Sequence, residues 1–448
     1  MNERFFPASI VDDITYCMDR AYPGLVLNYA WILSLEGEVS SEMLLKSLDK
    51  TMDFYPKSRC VITDAYPSHR RWFRYRWKLT ECRARDIFRE TVPADAHFTF
   101  EDALGYYVEH HASLAIDLSS HVPLKVLLFR QPERAYLFFI MHHAAADGLG
   151  GFFFIQKCIR YYEEMLRGGG AEHTPAVNFK DLSLPDVRFR WRDLAPRRLG
   201  PFFRNSFLMF KEPALNSYPA KAKAIIGKYN TTVRQLPPDR LAGIRRTAKQ
   251  YGCTVNDYLV AAMFLSMKKW CREWITPSDR IYINVPMSLR SPEDRTLSNI
   301  LSGVTLSLKP GSIGAREDML PLIRKEIAAL AESHIAEMLI NVSSLLKPLP
   351  VRARTSLLKR TALGYAPTIV LSNMGILAPN PAHRDEEGFH WMGGARIRDL
   401  YGIPAVGAWP MLLLYTYNDR MIFNLSFLES YFPPETAGRF IDSFLGEL

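Results

Sequence analysis

The sequence is poor in cysteine. Its 448 residues hold six (Cys17, Cys60, Cys82, Cys158, Cys253, Cys271), scattered and without a CxxC pair. Such spacing argues against a disulfide scaffold or a zinc ribbon and fits reduced thiols in the cytoplasm. Long hydrophobic runs are missing too; the longest are broken by His, Asp, Asn or Pro and fall short of a membrane span. The opening MNERFFPASIVDD has no apolar signal core, so a cytoplasmic protein is expected, soluble or at most peripheral to a membrane. Low-complexity tracts and short internal repeats are absent as well.

What is there is globular: 48% hydrophobic and 23% charged residues, in a chain long enough for two domains of roughly 200 residues. Lys and Arg number 56 against 47 Asp and Glu, a net charge of +9. That excess favours anionic partners, whether CoA phosphates, an acidic carrier protein, a membrane surface or nucleic acid, without choosing among them.

One stretch organises the rest: Met141-His142-His143-Ala144-Ala145-Ala146-Asp147-Gly148. Upstream, AYLFFIM (135–141) has strand length and strand composition. Downstream, Phe152, Ile155, Ile159, Tyr162 and Leu166 share one helical face. Both histidines therefore stand where a buried strand runs out into a loop. A group there is held from behind and open in front. Neutral imidazole suits general base catalysis when its second nitrogen is pinned. Asp147 reaches back to the loop or pairs with an Arg elsewhere, and Gly148 allows a tight turn with its N–H toward the site. A buried His pair satisfied by carbonyls is the plain alternative. A second pair, His110-His111, lies in a mixed-polarity helical stretch with no Asp-Gly behind it and reads as surface.

HHAAADG resembles the HHxxxDG signature of the acyltransferase superfamily typified by chloramphenicol acetyltransferase. That group includes nonribosomal peptide condensation domains and the wax-ester synthase/diacylglycerol acyltransferases. The resemblance implies His143 as general base, with Asp147 structural and His142 in support. It extends in order along the chain. Ile116-Asp117-Leu118 with Pro123-Leu124 is similar to the condensation-type segment before the signature, although Lys125 departs from the Pro-Leu-Trp of wax-ester synthases. Asn256-Asp257 resembles their Asn-Asp motif. Read locally, Thr254 with Asp257 is a helix-capping pair, the favoured role. Pro286-Met287-Ser288-Leu289-Arg290 is similar to the family's Ser-Leu-Arg block, where the Arg pairs with the signature Asp; carried over, Arg290 pairs with Asp147. Ser372-Asn373 matches a Ser-Asn pair at a strand end, which either donates to an oxyanion or closes a turn. The plant enzymes' Asp-Phe-Gly-Trp-Gly motif is absent.

The implied fold is α/β: two chloramphenicol-acetyltransferase-like lobes, each a mixed β-sheet flanked by helices, with a channel between them. By sequence the lobes are 1–176 and 229–448, joined by a crossover at 177–228. From Asp186 to Lys228 that crossover holds ten Lys or Arg against three acids, interleaved with aromatics as in Arg188-Phe189-Arg190-Trp191-Arg192. Packing between the lobes is the favoured reading, peripheral membrane contact the second. Nucleic acid is not expected, because no binding motif accompanies the bases.

The activity implied is transfer of an acyl group from a thioester to a hydroxyl or amine acceptor. The donor is acyl-CoA or a phosphopantetheinyl carrier protein, with no metal and no bound cofactor. A stand-alone condensation enzyme fed by an acyl or peptidyl carrier protein in trans is the alternative. A non-catalytic binding protein of the same fold is a third reading. A metal-dependent hydrolase using His142, His143 and Asp147 is disfavoured, since adjacent strand residues point apart.

Overall fold

A computed structural model describes residues 4–22, 26–63, 75–95, 97–112, 114–168, 215, 228–344, 346, 348–361, 367–405, 409–430 and 432–448. Apart from Leu215 and Lys228, the 177–228 crossover and its basic, aromatic stretch lie outside those residues. Among the described residues no helix is long and apolar enough to cross a membrane.

The strand carrying the histidines, Arg134–His142, lies inside a six-stranded sheet. It pairs antiparallel with Asn28–Glu36 on one side, Asn28 opposite His142, and with Leu124–Arg130 on the other. Phe88–Thr91 adds a parallel edge. Alternate residues serve opposite faces: Leu137, Phe139 and Met141 enter one apolar cluster, and Tyr136, Phe138 and Ile140 another. A strand buried on both faces has no polar side to show, which explains the unbroken run AYLFFIM. A second six-stranded sheet runs in the order 301–308, 281–288, 369–376, 411–417, 420–428, 229–236. Its strand Ile369–Ile376 is parallel to both neighbours and the other pairs are antiparallel. A small three-stranded sheet joins Phe5–Pro7, Arg76–Leu79 and Cys60–Thr63.

The architecture is thus α/β, with two mixed sheets flanked by helices. One feature departs from lobes contiguous in sequence. Ala395–Ile403 and His390–Met392, from the second half, extend the first sheet, Ala395–Ile403 pairing with Asn28–Glu36. Tyr415 and Tyr417 of the second sheet fasten the inserted strand, donating to the Leu400 and Ile397 carbonyls at 2.8 and 2.5 Å. Trp31 meets Tyr415 edge-on at 5.5 Å, so the two sheets share a core. Nothing local marks a strand that pairs across more than 350 residues, as Ile397 does with Leu35.

Residues 316–344 form two helices, Arg316–Glu332 and Ile335–Ser344. His334 between them takes a left-handed φ of 51°, which ends the first helix. Helix starts follow the capping signals. Ser40 accepts from the Met43 amide, and Thr254 and Asp257 exchange bonds as a capping box. Gly148–Leu166 is capped by Asp147, whose Oδ1 accepts from Gly150 N at 2.7 Å.

Candidate active site

The strand ends at His142 and the loop 143–147 is pinned from both sides. His142 N donates to Pro123 O at 3.0 Å and His143 N to Leu27 O at 2.7 Å. The two rings go separate ways. His142 is fully buried, and its Nδ1 accepts from Ala144 N at 3.1 Å. An accepting Nδ1 puts the ring proton on Nε2, 3.7 Å from Asp19 Oδ1. His143 lines a cavity of about 140 Å³ between the two sheets, together with Tyr29, Trp31, Asp147, Gly148, Ser372 and Asn373. Its Nδ1 is shut away, leaving Nε2 as the nitrogen offered to the cavity.

Burial holds the His143 imidazole below the usual histidine range; the Asp147 carboxylate is the strongest opposing influence. Desolvation penalises the imidazolium, so the ring stays an acceptor of protons at neutral pH. The consequence has a sign. If His143 serves as a base only when neutral, its pKa lowered from 6.5 keeps kcat/KM level on acidification past pH 6.5 and lets it fall only beneath that. An acid limb centred above 6.5 in the pH profile of kcat/KM would contradict this placement.

The Asp147 carboxylate is taken up by protein donors. Arg290 Nη2 lies 3.0 Å from each of its carboxylate oxygens, and Ile300 N donates to Oδ2 at 2.9 Å. With the Gly150 amide, every direction around the carboxylate is used. Arg290 also donates to Thr296 O at 3.0 Å. The pair is deeply buried, each side chain 4% exposed, and it ties the loop after the first sheet to the strand connection of the second. Glycine is required beside it. A Cβ on Gly151 would sit 2.3 Å from the Tyr29 hydroxyl, which itself donates to Asp147 O at 3.0 Å. Gly151→Ala is expected to cost about 1–3 kcal/mol by forcing Tyr29 out of place. Urea unfolding measures it, and an unchanged midpoint would contradict the contact.

Ser372 and Asn373 both face the cavity. Asn373 Oδ1 closes a turn by accepting from Gly375 N at 3.0 Å, where Gly375 has φ 73°, so its carbonyl is committed and its amide N–H groups remain. Gly148 begins the helix, and its first-turn N–H has no intrahelical acceptor. Asn256 and Asp257 do not line the cavity. They stand in the first turn of Val255–Trp270, where Asp257 is spent on the Thr254 amide at 2.8 Å; their place is a helix cap and not the site. His110 and His111 also lie outside the lining.

Several residues around the loop and the cavity were not singled out as site residues from sequence. Tyr29 and Trp31, two apart on one strand face, reach the loop, Trp31 Nε1 donating to Gly148 O at 3.1 Å. Asn299 Nδ2 donates to the His143 and Ala144 carbonyls at 2.7 and 3.0 Å and to Asp12 Oδ1 at 3.1 Å. Asp12 in turn holds the buried Lys57 at 2.8 Å. Met374 packs on Gly148, and Asp19 faces His142. Of these, only Asn299 carried a sequence signal, lying shortly after the Ser-Leu-Arg block that is similar to the family's.

A family model for the condensation domain matches residues 25–301. An uncharacterized protein of Mycobacterium tuberculosis is 24% identical over 313 residues, 65% of this chain and 69% of its own. Among solved structures, the trichothecene 15-O-acetyltransferase TRI3 of Fusarium sporotrichioides superposes with a TM-score of 0.76 at 13% identity, covering 99% of this chain and 95% of that one. The first condensation domain of the CDA synthetase superposes with a TM-score of 0.71 at 12% identity, covering 99% and 96%.

Proposed function

Because the chain belongs to the condensation-domain family, we propose that it transfers an acyl group from a thioester to a hydroxyl or amine, with His143 as general base. One observation supports this above the others: His143 alone of the two signature histidines opens onto the cavity between the sheets, while Asp147 behind it is fully engaged by Arg290. In the proposed reaction Nε2 takes the proton of the acceptor as its oxygen or nitrogen bonds to the thioester carbonyl carbon. The carbon–sulfur bond then breaks, and the departing thiolate takes the proton back from His143, so the enzyme ends unchanged. The oxyanion formed between these steps would be held by the Gly148 amide or the Ser372 hydroxyl. His142 and Asn299 position the loop; neither is asked to touch substrate.

Acyl-CoA is the proposed donor. A carrier-protein thioester supplied in trans is the second reading, favoured by the family match and by the likeness to the CDA synthetase condensation domain. The +9 charge suits either anionic donor. The deciding experiment offers one acyl group on CoA and on a phosphopantetheinyl carrier protein, with pooled alcohols and amines. Acceptor-dependent thiol release from CoA supports the first reading, and release from the carrier alone supports the second. Release from neither, by folded protein, overturns both.

A further inference from the structure

The walls around His143 are built so that their polar tips turn away from the cavity. Tyr29 spends its hydroxyl on Asp147 O and Trp31 its indole N–H on Gly148 O. Both rings therefore offer the cavity their carbon surface. Burial pushes the Tyr29 phenol well above its ordinary pKa, so it remains an uncharged donor. Asp147, the one charged side chain among the described lining residues, is matched by Arg290. Facing these rings are Met287, Met374, Met411, Leu149, Leu301 and Leu413. Three methionines in so small a space make a soft wall that adapts to a flexible chain. The polar groups left over are the Ser288 and Ser372 hydroxyls and the Asn373 amide. Those suffice for a carbonyl oxygen but offer no counter-charge.

From this we infer that the substrate group seated beside the reacting centre is an uncharged, flexible aliphatic chain. An α-ammonium or a carboxylate is refused there, because a charge buried in this wall finds no opposite charge and loses its water. The inference rests on the acyl-transfer reading. Met374 is the leading determinant: its methyl lies where a Cβ on Gly148 would approach it to 3.2 Å, so it packs at the helix N-terminus next to His143 and lines the cavity there. The aliphatic chain belongs to the donor's acyl group or to the acceptor, and the same chemistry admits either.

The test compares equal-length pairs on the full chain. Donors are hexanoyl-CoA against adipoyl-CoA; acceptors are 1-hexanol against 6-hydroxyhexanoate. Neutral members are expected to win by about 100-fold or more in kcat/KM. Preference confined to donors places the chain on the acyl group, and preference confined to acceptors places it there. Met374→Lys, with Met287→Lys as a second variant on a different strand, is expected to move the ratio about tenfold or more toward the carboxylate. Equal use of charged and neutral members, or ratios untouched in a folded variant, overturns the inference. Calorimetric binding of S-hexyl-CoA against S-(5-carboxypentyl)-CoA reads the same preference without turnover. Failure of the acyl-transfer reading thus shows as absent turnover with the binding preference intact. Binding with no preference in this pair and none between 1-hexanol and 6-hydroxyhexanoate overturns the inference itself.

Discussion

Arg290→Ala is expected to lower the stability of the folded protein by about 3–5 kcal/mol, the usual consequence of leaving a buried charge without its partner. The carboxylate of Asp147 is 4% exposed and keeps only two backbone donors, Gly150 N and Ile300 N, once the guanidinium is gone. Arg290 also joins two sheets, so its loss loosens the loop holding His143 as well as the strand connection 289–300. A control separates charge imbalance from lost contact. Asp147→Asn keeps a capping side chain at the helix start and removes the negative charge. Combined with Arg290→Met, it leaves neither ion, and replacing both partners is generally far milder than removing one. Urea or thermal unfolding of the two variants checks this, with the double variant expected to be the more stable. Arg290→Ala unfolding like the wild type would mean that the pair is not the clasp its geometry describes.

His143→Ala carries the largest expected effect on activity. General base catalysis by a positioned imidazole contributes typically about 10²–10⁴-fold, and among the described residues no other imidazole lines the cavity. The fold is expected to survive, because His143 holds its neighbours through main-chain atoms. Its N–H meets Leu27 O and its carbonyl meets Asn299, and alanine keeps both. Activity and stability therefore part company at this residue, whereas at Arg290 they fall together. That contrast tells a group acting on substrate from one acting through the loop.

How far the sequence could be read follows from the range of each interaction. The strand 134–142, the turn and the helix 148–166 were legible because an unbroken apolar run of strand length, a break and 3.6-residue spacing are local patterns. The capping of Val255–Trp270 was legible for the same reason, and it left Asn256 and Asp257 with a structural role. Arg290 beside Asp147 is 143 positions away and was reached through the likeness of its Ser-Leu-Arg block. Asp19 opposite His142 and the strand Ala395–Ile403 in the first sheet had no such guide. Each is fixed by a tertiary approach between segments whose own patterns say only buried or exposed. Tyr29 and Trp31 sit in the strand Asn28–Glu36, and which carbonyls they meet depends on register with the histidine strand.

The most direct test of the account is single-turnover transfer from an acyl thioester to an acceptor, followed by thiol release, in wild type and His143→Ala at pH 7. Acceptor-dependent release by the wild type, slowed about 10²–10⁴-fold in a variant with unchanged unfolding, is the result expected of a general base. Release at the same rate in both would contradict it and leave His143 a structural histidine in an acyltransferase that works by other means.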